Sequence, residues 1–255
     1  MAIYESFSRV YDKYMSEVPY EKWCEYLEEI FQKHSKPTET GLICDLGCGT
    51  GNMTLPLAKK GYDMIGVDIS ADMLSVAGGK AKEEGLDILF INSDMTNFEL
   101  YGTVDAAISM CDCVNYLLEE EELEEMFATV NNYLHPKGLF VFDINTEYKF
   151  KNILSDNTFC QTDEDSACTW ENYYDEESRI NEYYTNFFLR DEETGLYIRK
   201  EEIHTERAYT IEEIRRCAEK AGLEYIAAYD ELTFSPPKED STRIFFVMRE
   251  KGKSV

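Results

Sequence analysis

The residues best suited to chemistry are acids at the ends of apolar runs beside a glycine loop. Asp45 lies at the end of Leu42–Leu46 and is followed by Gly47-Cys48-Gly49-Thr50-Gly51. A glycine loop between a strand and a helix lets a ligand approach backbone N–H groups, and several nucleotide folds use one. A dinucleotide fingerprint would need glycine at 52, where Asn52 stands, and would set a pyrophosphate against the Asp45 carboxylate, which repels it. The same carboxylate attracts a ligand that carries an ammonium and no phosphate. Asp68 ends the next apolar run, 17 residues beyond Gly51, where a doubly wound fold places the carboxylate that accepts hydrogen bonds from ribose hydroxyls. Asp94 closes the run after that and suits an adenine amino group, with the Met95 amide facing a ring nitrogen. Singly, each acid reads equally well as a turn former or helix cap. At three successive strand ends they share the carboxyl edge where open α/β sheets bind ligands, and together they describe a site for an amine, a ribose and an adenine.

Positioning those acids requires strands that alternate with helices. Short apolar runs at Met64–Val67, Ile88–Ile91, Val104–Met110 and Leu139–Ile144 read as further parallel strands. Between the last two, Leu123, Met126, Phe127, Val130 and Leu134 form a helical stripe over Glu119–Leu134, with glutamates at its positive end. His135-Pro136-Lys137-Gly138 is read as the end of that helix, and His135 as a helix-end residue. Two amphipathic helices lead the chain, one carrying Phe7, Val10, Tyr11 and Tyr14, the other Trp23, Tyr26, Leu27, Ile30 and Phe31. Residues 146–207 are dense in Tyr, Phe, Glu and Asn, with turn-like Asp175–Ser178 and Asp191–Gly195, and read as an antiparallel insertion. Thr210 and Glu213 form a capping-box pattern for a helix over Ile211–Ala221; Leu223–Phe234 and Arg243–Met248 then read as closing strands. The expected organisation is an N-terminal helical segment (1–35) over the cofactor site, a core (36–145 and 208–255), and an insertion (146–207) serving as substrate lid or dimer surface.

Composition narrows the function classes. The 255 residues carry 51 acids against 25 Lys and Arg, a net charge of −26, with 44% apolar and 13% aromatic residues. Such a chain closes a core, and a surface this negative disfavours nucleic acid and anionic membranes. No apolar run is long enough for a membrane span, and the N-terminus lacks the pattern of a signal peptide, so a cytoplasmic protein is expected. The eight cysteines are expected as reduced thiols, and the cysteine spacings and three scattered histidines give no metal site.

The segment Ile43-Cys44-Asp45-Leu46-Gly47-Cys48-Gly49-Thr50-Gly51-Asn52 resembles the first motif of class I S-adenosylmethionine-dependent methyltransferases, and Gly66-Val67-Asp68-Ile69-Ser70 their second. Asp94-Met95 is similar to their adenine-side motif. Cys111-Asp112-Cys113-Val114-Asn115-Tyr116-Leu117, with Tyr11-Asp12, is similar to a group of small bacterial members whose acceptors are mostly unassigned. The resemblance covers about residues 40–145 by motif and 210–250 by topology, and leaves 146–207 uncovered. It implies a doubly wound, Rossmann-like mixed sheet of seven strands with the last antiparallel, the β insertion following the fifth. It also implies S-adenosylmethionine as donor and S-adenosylhomocysteine as product. The donor contacts it implies are Tyr11, Trp23, Asp45, Gly47, Cys48, Gly49, Asn52, Asp68, Ile69, Met73, Asp94, Met95, Cys111 and Asn115. Met110, Cys111, Asp112 and Asn115 would flank the donor's methionine end. Tyr11 and Trp23 would cap the donor, or equally pack in the core as their helical stripes suggest. No Asn/Asp-Pro-Pro-Tyr/Phe sequence follows the fourth strand, which lowers the weight of nucleobase or glutamine-amide acceptors.

The expected activity is methyl transfer to a small-molecule acceptor by in-line displacement, which needs alignment and exclusion of water more than a protein nucleophile. Candidate bases are His204, Asp112 and a tyrosine of the insertion. His204 with Arg207 suits an acceptor, or equally a strand face satisfied by neighbouring glutamates. Cys48 and Cys111 read as small packing residues. Trp170, Tyr173, Tyr174, Tyr183, Tyr184, Phe187 and Phe188 would give the insertion an aromatic face over the site, a dimerisation sheet or a small core of its own, and a homodimer is left open. Two other functions stay in view: a donor-binding protein without transferase activity, and an NAD-dependent oxidoreductase, which Asp45 and Asn52 disfavour.

Overall fold

The computed structural model describes residues 11–15, 18–34, 41–191 and 193–253. Its centre is a seven-stranded sheet, in chain order β1 (Leu42–Leu46), β2 (Asp63–Asp68), β3 (Leu89–Asn92), β4 (Val104–Ser109), β5 (Leu134–Asn145), β10 (Leu223–Asp230) and β11 (Arg243–Glu250). The strands lie in the order β10-β11-β5-β4-β1-β2-β3. All neighbours are parallel except β11, which runs antiparallel between β5 and β10.

The central strands are buried on both faces because helices cover both, so they read as continuous apolar runs. On one face Phe140, Phe142 and Phe246 meet Leu123, Met126, Phe127 and Val130 of α5 (Glu120–Tyr133) and Ile214, Cys217 and Ala218 of α7 (Ile211–Lys220). Phe142 and Phe246 stack with centroids 5.1 Å apart. On the other, Ile43, Ile108, Val141, Phe245 and Val247 meet Trp23, Leu27, Ile30 and Phe31 of α2 (Tyr20–His34) and Leu57 of α3 (Thr54–Lys59). Helix α4 (Ala71–Glu83) starts on Ser70, whose side chain accepts the Met73 amide, and both α5 and α7 start with capping boxes.

The insertion is a second, four-stranded antiparallel sheet of β6 (Thr158–Thr162), β7 (Ser166–Asp175), β8 (Ile180–Arg190) and β9 (Tyr197–Arg207). It follows a short helix, α6 (Glu147–Lys149), continued by a wide turn over Phe150–Leu154. Alternation puts Trp170, Tyr183, Thr185, Phe187, His204 and Glu206 on the face toward the main sheet. Tyr173 and Tyr184 face solvent, packed edge to face 5.5 Å apart.

Two boundaries differ from the sequence expectation. Strand β5 begins at Leu134, pairing with Val104, and a register shift precedes the Ala106–Leu139 pair. His135-Pro136-Lys137-Gly138 is therefore a bulged strand start, and Lys137 takes φ of 69°. His135 sits there beside Thr103, away from the site, and the strand predicted over Leu223–Phe234 stops at Asp230. The predicted first helix is described only from α1 (Tyr11–Tyr14); Phe7 and Val10 lie outside the described residues. No helix among the described residues is long and apolar enough to cross a membrane.

Candidate active site

The carboxyl ends of β1, β2, β4 and β5 open into one cavity of about 710 Å³, roofed by the inserted sheet and by α1. Its size is that of a pocket for small ligands.

One half is built around the glycine loop. Gly47 and Cys48 donate their amides to the Val67 carbonyl at 2.8 and 3.1 Å, tying the loop to the end of β2. Gly47 has φ of +70°, and a Cβ there would meet Cys113 Sγ at 2.6 Å; glycine is required by conformation and by space. Asp68 accepts the amides of Gly49 and Ser70, each at 2.8 Å, which fixes its carboxylate at the strand end. Burial pushes that carboxyl up, against the pull of the two amides. Asp45 is 1% exposed and accepts from Thr54 Oγ1 at 2.6 Å. Burial raises it to about 7, and it forms no ion pair among the described residues. Asp94 is braced through one oxygen by the amide and hydroxyl of Thr96, both at 2.8 Å.

Asn52 faces the cavity but is held from behind. Its side chain donates to Asp12 at 2.8 Å and accepts from Lys80 at 2.8 Å, while Thr50 Oγ1 donates to Asp12 at 2.6 Å. Asp12 thus clasps the glycine loop from α1.

The other half is held by long-range charge. Cys111 and Asp112 follow β4 with φ of 62° and 55°, a left-handed pair that non-glycine residues rarely adopt. Asp143 of β5 accepts both of their amides, at 2.8 and 3.1 Å, and is fully buried. Arg243, the first residue of β11, donates to Asp143 and, at 2.6 Å, to Asp112. Burial pushes the Asp112 carboxyl up, but the Arg243 and Lys149 charges and its hydrogen bonds together outweigh that and hold the group below its ordinary value. Lys149 of α6 donates to Asn145 Oδ1 at 2.8 Å, and burial lowers its ammonium. Glu206 of β9 accepts from Tyr183 at 3.1 Å and lies in hydrogen-bond contact with Asp112; burial raises it well above the carboxylate range. His204 meets Tyr116 Oη through Nδ1 at 3.2 Å and Glu202 through Nε2 at 3.4 Å.

The cavity brings together Asp45, Gly47, Cys48, Gly49, Asn52, Asp68, Ile69, Met73, Asp94, Met95, Cys111, Asp112 and His204 of the residues singled out from sequence. Trp23 and Asn115 do not line it. Trp23 is 2% exposed, packs edge to face on Phe245 and lies 5.1 Å beneath the Arg243 guanidinium, because its helical stripe faces the sheet. Asn115 is buried behind the wall, where it donates to the carbonyls of Asn145 and Arg207 and accepts the Asn145 amide at 2.9 Å. Tyr11 begins α1, and its side chain lies outside the described residues. The thiols of Cys48 and Cys111 are pushed well up by burial, as packing residues would be.

Sequence reasoning missed Asp143, Lys149, Glu206 and Arg243. A signal was present: Asp143 interrupts the apolar run of β5, and Arg243 opens an apolar strand, so a buried acid awaited a buried base.

Comparison with known proteins decides the family. A methyltransferase-domain model matches residues 43–138. The chain is 33% identical over 247 residues to a putative methyltransferase of Geobacillus sp. strain WCH70, covering 97% of this chain and 99% of that one. It is 34% identical over 258 residues to the putative methyltransferase YqeM of Bacillus subtilis strain 168, covering 99% of each. The chain belongs to the class I S-adenosylmethionine-dependent methyltransferases. A solved S-adenosylmethionine-dependent methyltransferase from Clostridium acetobutylicum ATCC 824 superposes with a TM-score of 0.86 at 31% identity, covering 98% of this chain and 99% of that one.

For such a methyltransferase the residues present fit the donor. A buried carboxyl without a cation (Asp45) meets the need of an ammonium, and a carboxylate fixed by two backbone amides (Asp68) keeps lone pairs directed at the cavity.

Proposed function

We propose that this methyltransferase acts on a small-molecule acceptor held beneath the inserted sheet. The observation that carries the reading is the continuity of the cavity: the glycine-loop half and the half lined by Tyr116, Tyr183, His204 and Glu206 are one space. Bound S-adenosylmethionine supplies an activated methyl group on a sulfonium. Asp45 would hold its ammonium, Asp68 its ribose hydroxyls, and Asp94 with the Met95 amide its adenine.

The chain's own contribution is alignment, exclusion of water and proton handling. The inserted sheet and α1 roof the site with Tyr14, Trp170 and Phe187, which keeps the reacting groups dry. His204 is the proton acceptor in this reading: with Nε2 facing Glu202, its Nδ1 takes a proton through the Tyr116 hydroxyl. Asp112, ion-paired with Arg243, is a poor base and serves as a positioning residue.

Parallel calorimetric titrations with S-adenosylmethionine, S-adenosylhomocysteine and NAD test the reading, followed by transfer of a labelled methyl group to small-molecule acceptors. Binding of the first two and not NAD, with label transferred, is expected. Donor binding without transfer to any acceptor would leave a binding protein; NAD binding alone would overturn the assignment.

A further inference from the structure

We infer that the acceptor is a small amine that binds as its ammonium ion, and that Glu206 is the carboxylate that receives it. The inference rests on the methyl-transfer reading above and names its substrate class.

The charges clustered around Glu206 do not balance. Asp112 and Asp143 bring two negative charges, and Arg243, bonded to both, with Lys149 brings two positive ones. Glu206 is the carboxyl left over. It is 2% exposed and faces the cavity from β9, with Asp112, Tyr183 and Lys149 as the titratable groups around it. Among the described residues it makes no ion pair: Arg243 is held by the two aspartates, and the Lys149 ammonium is bonded to Asn145. Its hydrogen bonds are to Tyr183, to Asn145 at 3.4 Å and to Asp112.

A buried carboxyl in contact with a second carboxyl keeps its proton until a cation replaces it. Burial and the neighbouring Asp112 charge both raise Glu206, as this arrangement requires. An amine entering as its ammonium supplies the missing positive charge, and the proton of Glu206 leaves to solvent. With S-adenosylmethionine bound, the ammonium then gives one proton through the Tyr116 hydroxyl to His204, and the freed nitrogen lone pair takes the methyl group as the carbon–sulfur bond breaks to leave the neutral thioether. A carboxylate or phenolate acceptor would instead add a negative charge where none is balanced. The aromatic walls agree, since Trp170 and Tyr183 line the same space, and aromatic rings attract a desolvated ammonium. Beneath a net charge of −26, long-range steering favours the same class.

A rival cation is the sulfonium of the donor itself. The two differ in their dependence on Glu206, because the product S-adenosylhomocysteine is a neutral thioether.

The test uses the full chain and its Glu206→Gln variant, with tyramine, glucosamine, ethanolamine and putrescine as amine probes and catechol and 4-hydroxybenzoate as contrasts. Calorimetry on the S-adenosylhomocysteine complex measures probe binding; labelled S-adenosylmethionine measures transfer. At least one amine is expected to bind and accept label while the contrasts do not. In buffers of different ionisation heat, its binding should release about one proton, a linkage signal absent in Glu206→Gln. The variant should raise the amine's KM at least tenfold and bind both donor and product within twofold of the parent, which also shows that it folds. Binding or labelling of the contrasts alone, no amine bound, or an unchanged KM in the variant would overturn the inference. So would a variant that loses affinity for S-adenosylmethionine but not for S-adenosylhomocysteine, which assigns Glu206 to the sulfonium. Failure of the methyl-transfer reading shows separately, as no donor binding by the parent chain or as donor binding with no label transferred to any probe.

Discussion

The two halves of the cavity solve one problem by different means. Each buries a carboxyl that forms no ion pair among the described residues, Asp45 in the donor half and Glu206 in the acceptor half. The donor half braces its acids with uncharged donors from nearby in the chain: the Gly49 and Ser70 amides on Asp68, the Thr54 hydroxyl on Asp45, and Thr96 on Asp94. The acceptor half braces its acids with ions from distant strands: Arg243 and Asp112 are 131 residues apart in sequence. On the proposed assignment of the two halves, donor specificity is a local property of this chain and acceptor specificity a tertiary one, so the first should survive changes that abolish the second.

The sharpest way to break that contrast is Asp143→Ala. It leaves two part-buried amides without a partner and the Arg243 guanidinium with Asp112 alone, and releases a left-handed pair at Cys111 and Asp112. Removing one member of such a buried pair typically destabilises by about 3–5 kcal/mol. A melting temperature lowered by several degrees is expected, with acceptor turnover lost before donor binding. A variant as stable as the parent would mean that the left-handed turn supports itself.

Asp68→Ala attacks the donor half in the same spirit. Two charge-assisted hydrogen bonds to a ribose are worth about 3 kcal/mol together, or roughly 100-fold in affinity. Calorimetry should show that loss for S-adenosylmethionine and S-adenosylhomocysteine alike, because the ribose is common to both. Undiminished binding would remove Asp68 from the site.

The same contrast governs what the sequence discloses. Asp45, Gly47, Asp68 and Asp94 are legible because strand end, glycine loop and next strand end follow one another along the chain. The succession of the parallel strands along the chain and the inserted sheet are legible for the same reason, since hydrophobic period and turn residues are local signals. Trp23 stays open in the sequence because an aromatic on a helical stripe reads the same whether it caps a ligand or packs beneath an arginine, as it does here. Asn115 lies in the right segment, yet its amide turns inward to the Asn145 and Arg207 backbones. Glu206 and Arg243 become site residues only once β11 is paired with β5 and β9 of the inserted sheet is brought over the end of β5 at Asn145, which no local spacing states. The start of β5 at Leu134 is hidden because a Pro-Lys-Gly tract that breaks a helix also permits a bulge.

A smaller effect comes from pH. Burial raises Asp45 from 3.8 to about 7, so the folded chain keeps a proton that the unfolded chain has lost between those values. Up to about pH 7, this carboxyl opposes folding increasingly as pH rises, and a bound ammonium relieves it. Since only the ionised form attracts that ammonium, donor affinity at pH 6 should be about tenfold weaker than at pH 8. Asp45→Asn should flatten that profile and sit at the weak end of it. A profile unchanged by the substitution would assign the pH dependence to another group.

The smallest expected effect tests whether the halves communicate. Helix α1 touches both: Asp12 accepts from Thr50, Asn52 and Lys80 on the donor side, while Tyr14 packs 5.9 Å from Phe187 of the inserted sheet. Burial pushes the Asp12 carboxyl up, but those three donors outweigh it and hold the group below 3.8, so it stays ionised at working pH. Because Asp12 is only half-buried, solvent screening limits its contribution to about 1 kcal/mol, roughly fivefold in donor affinity. If α1 acts only as a brace on the glycine loop, Asp12→Ala weakens the donor by that amount and leaves acceptor KM unchanged. If α1 couples the halves, acceptor KM rises with it, and Phe187→Ala on the far side weakens the donor in return, since coupling between two sites is reciprocal. The local donor half and the tertiary acceptor half would then share a roof that transmits binding, and the independence of the two would fail at α1 first.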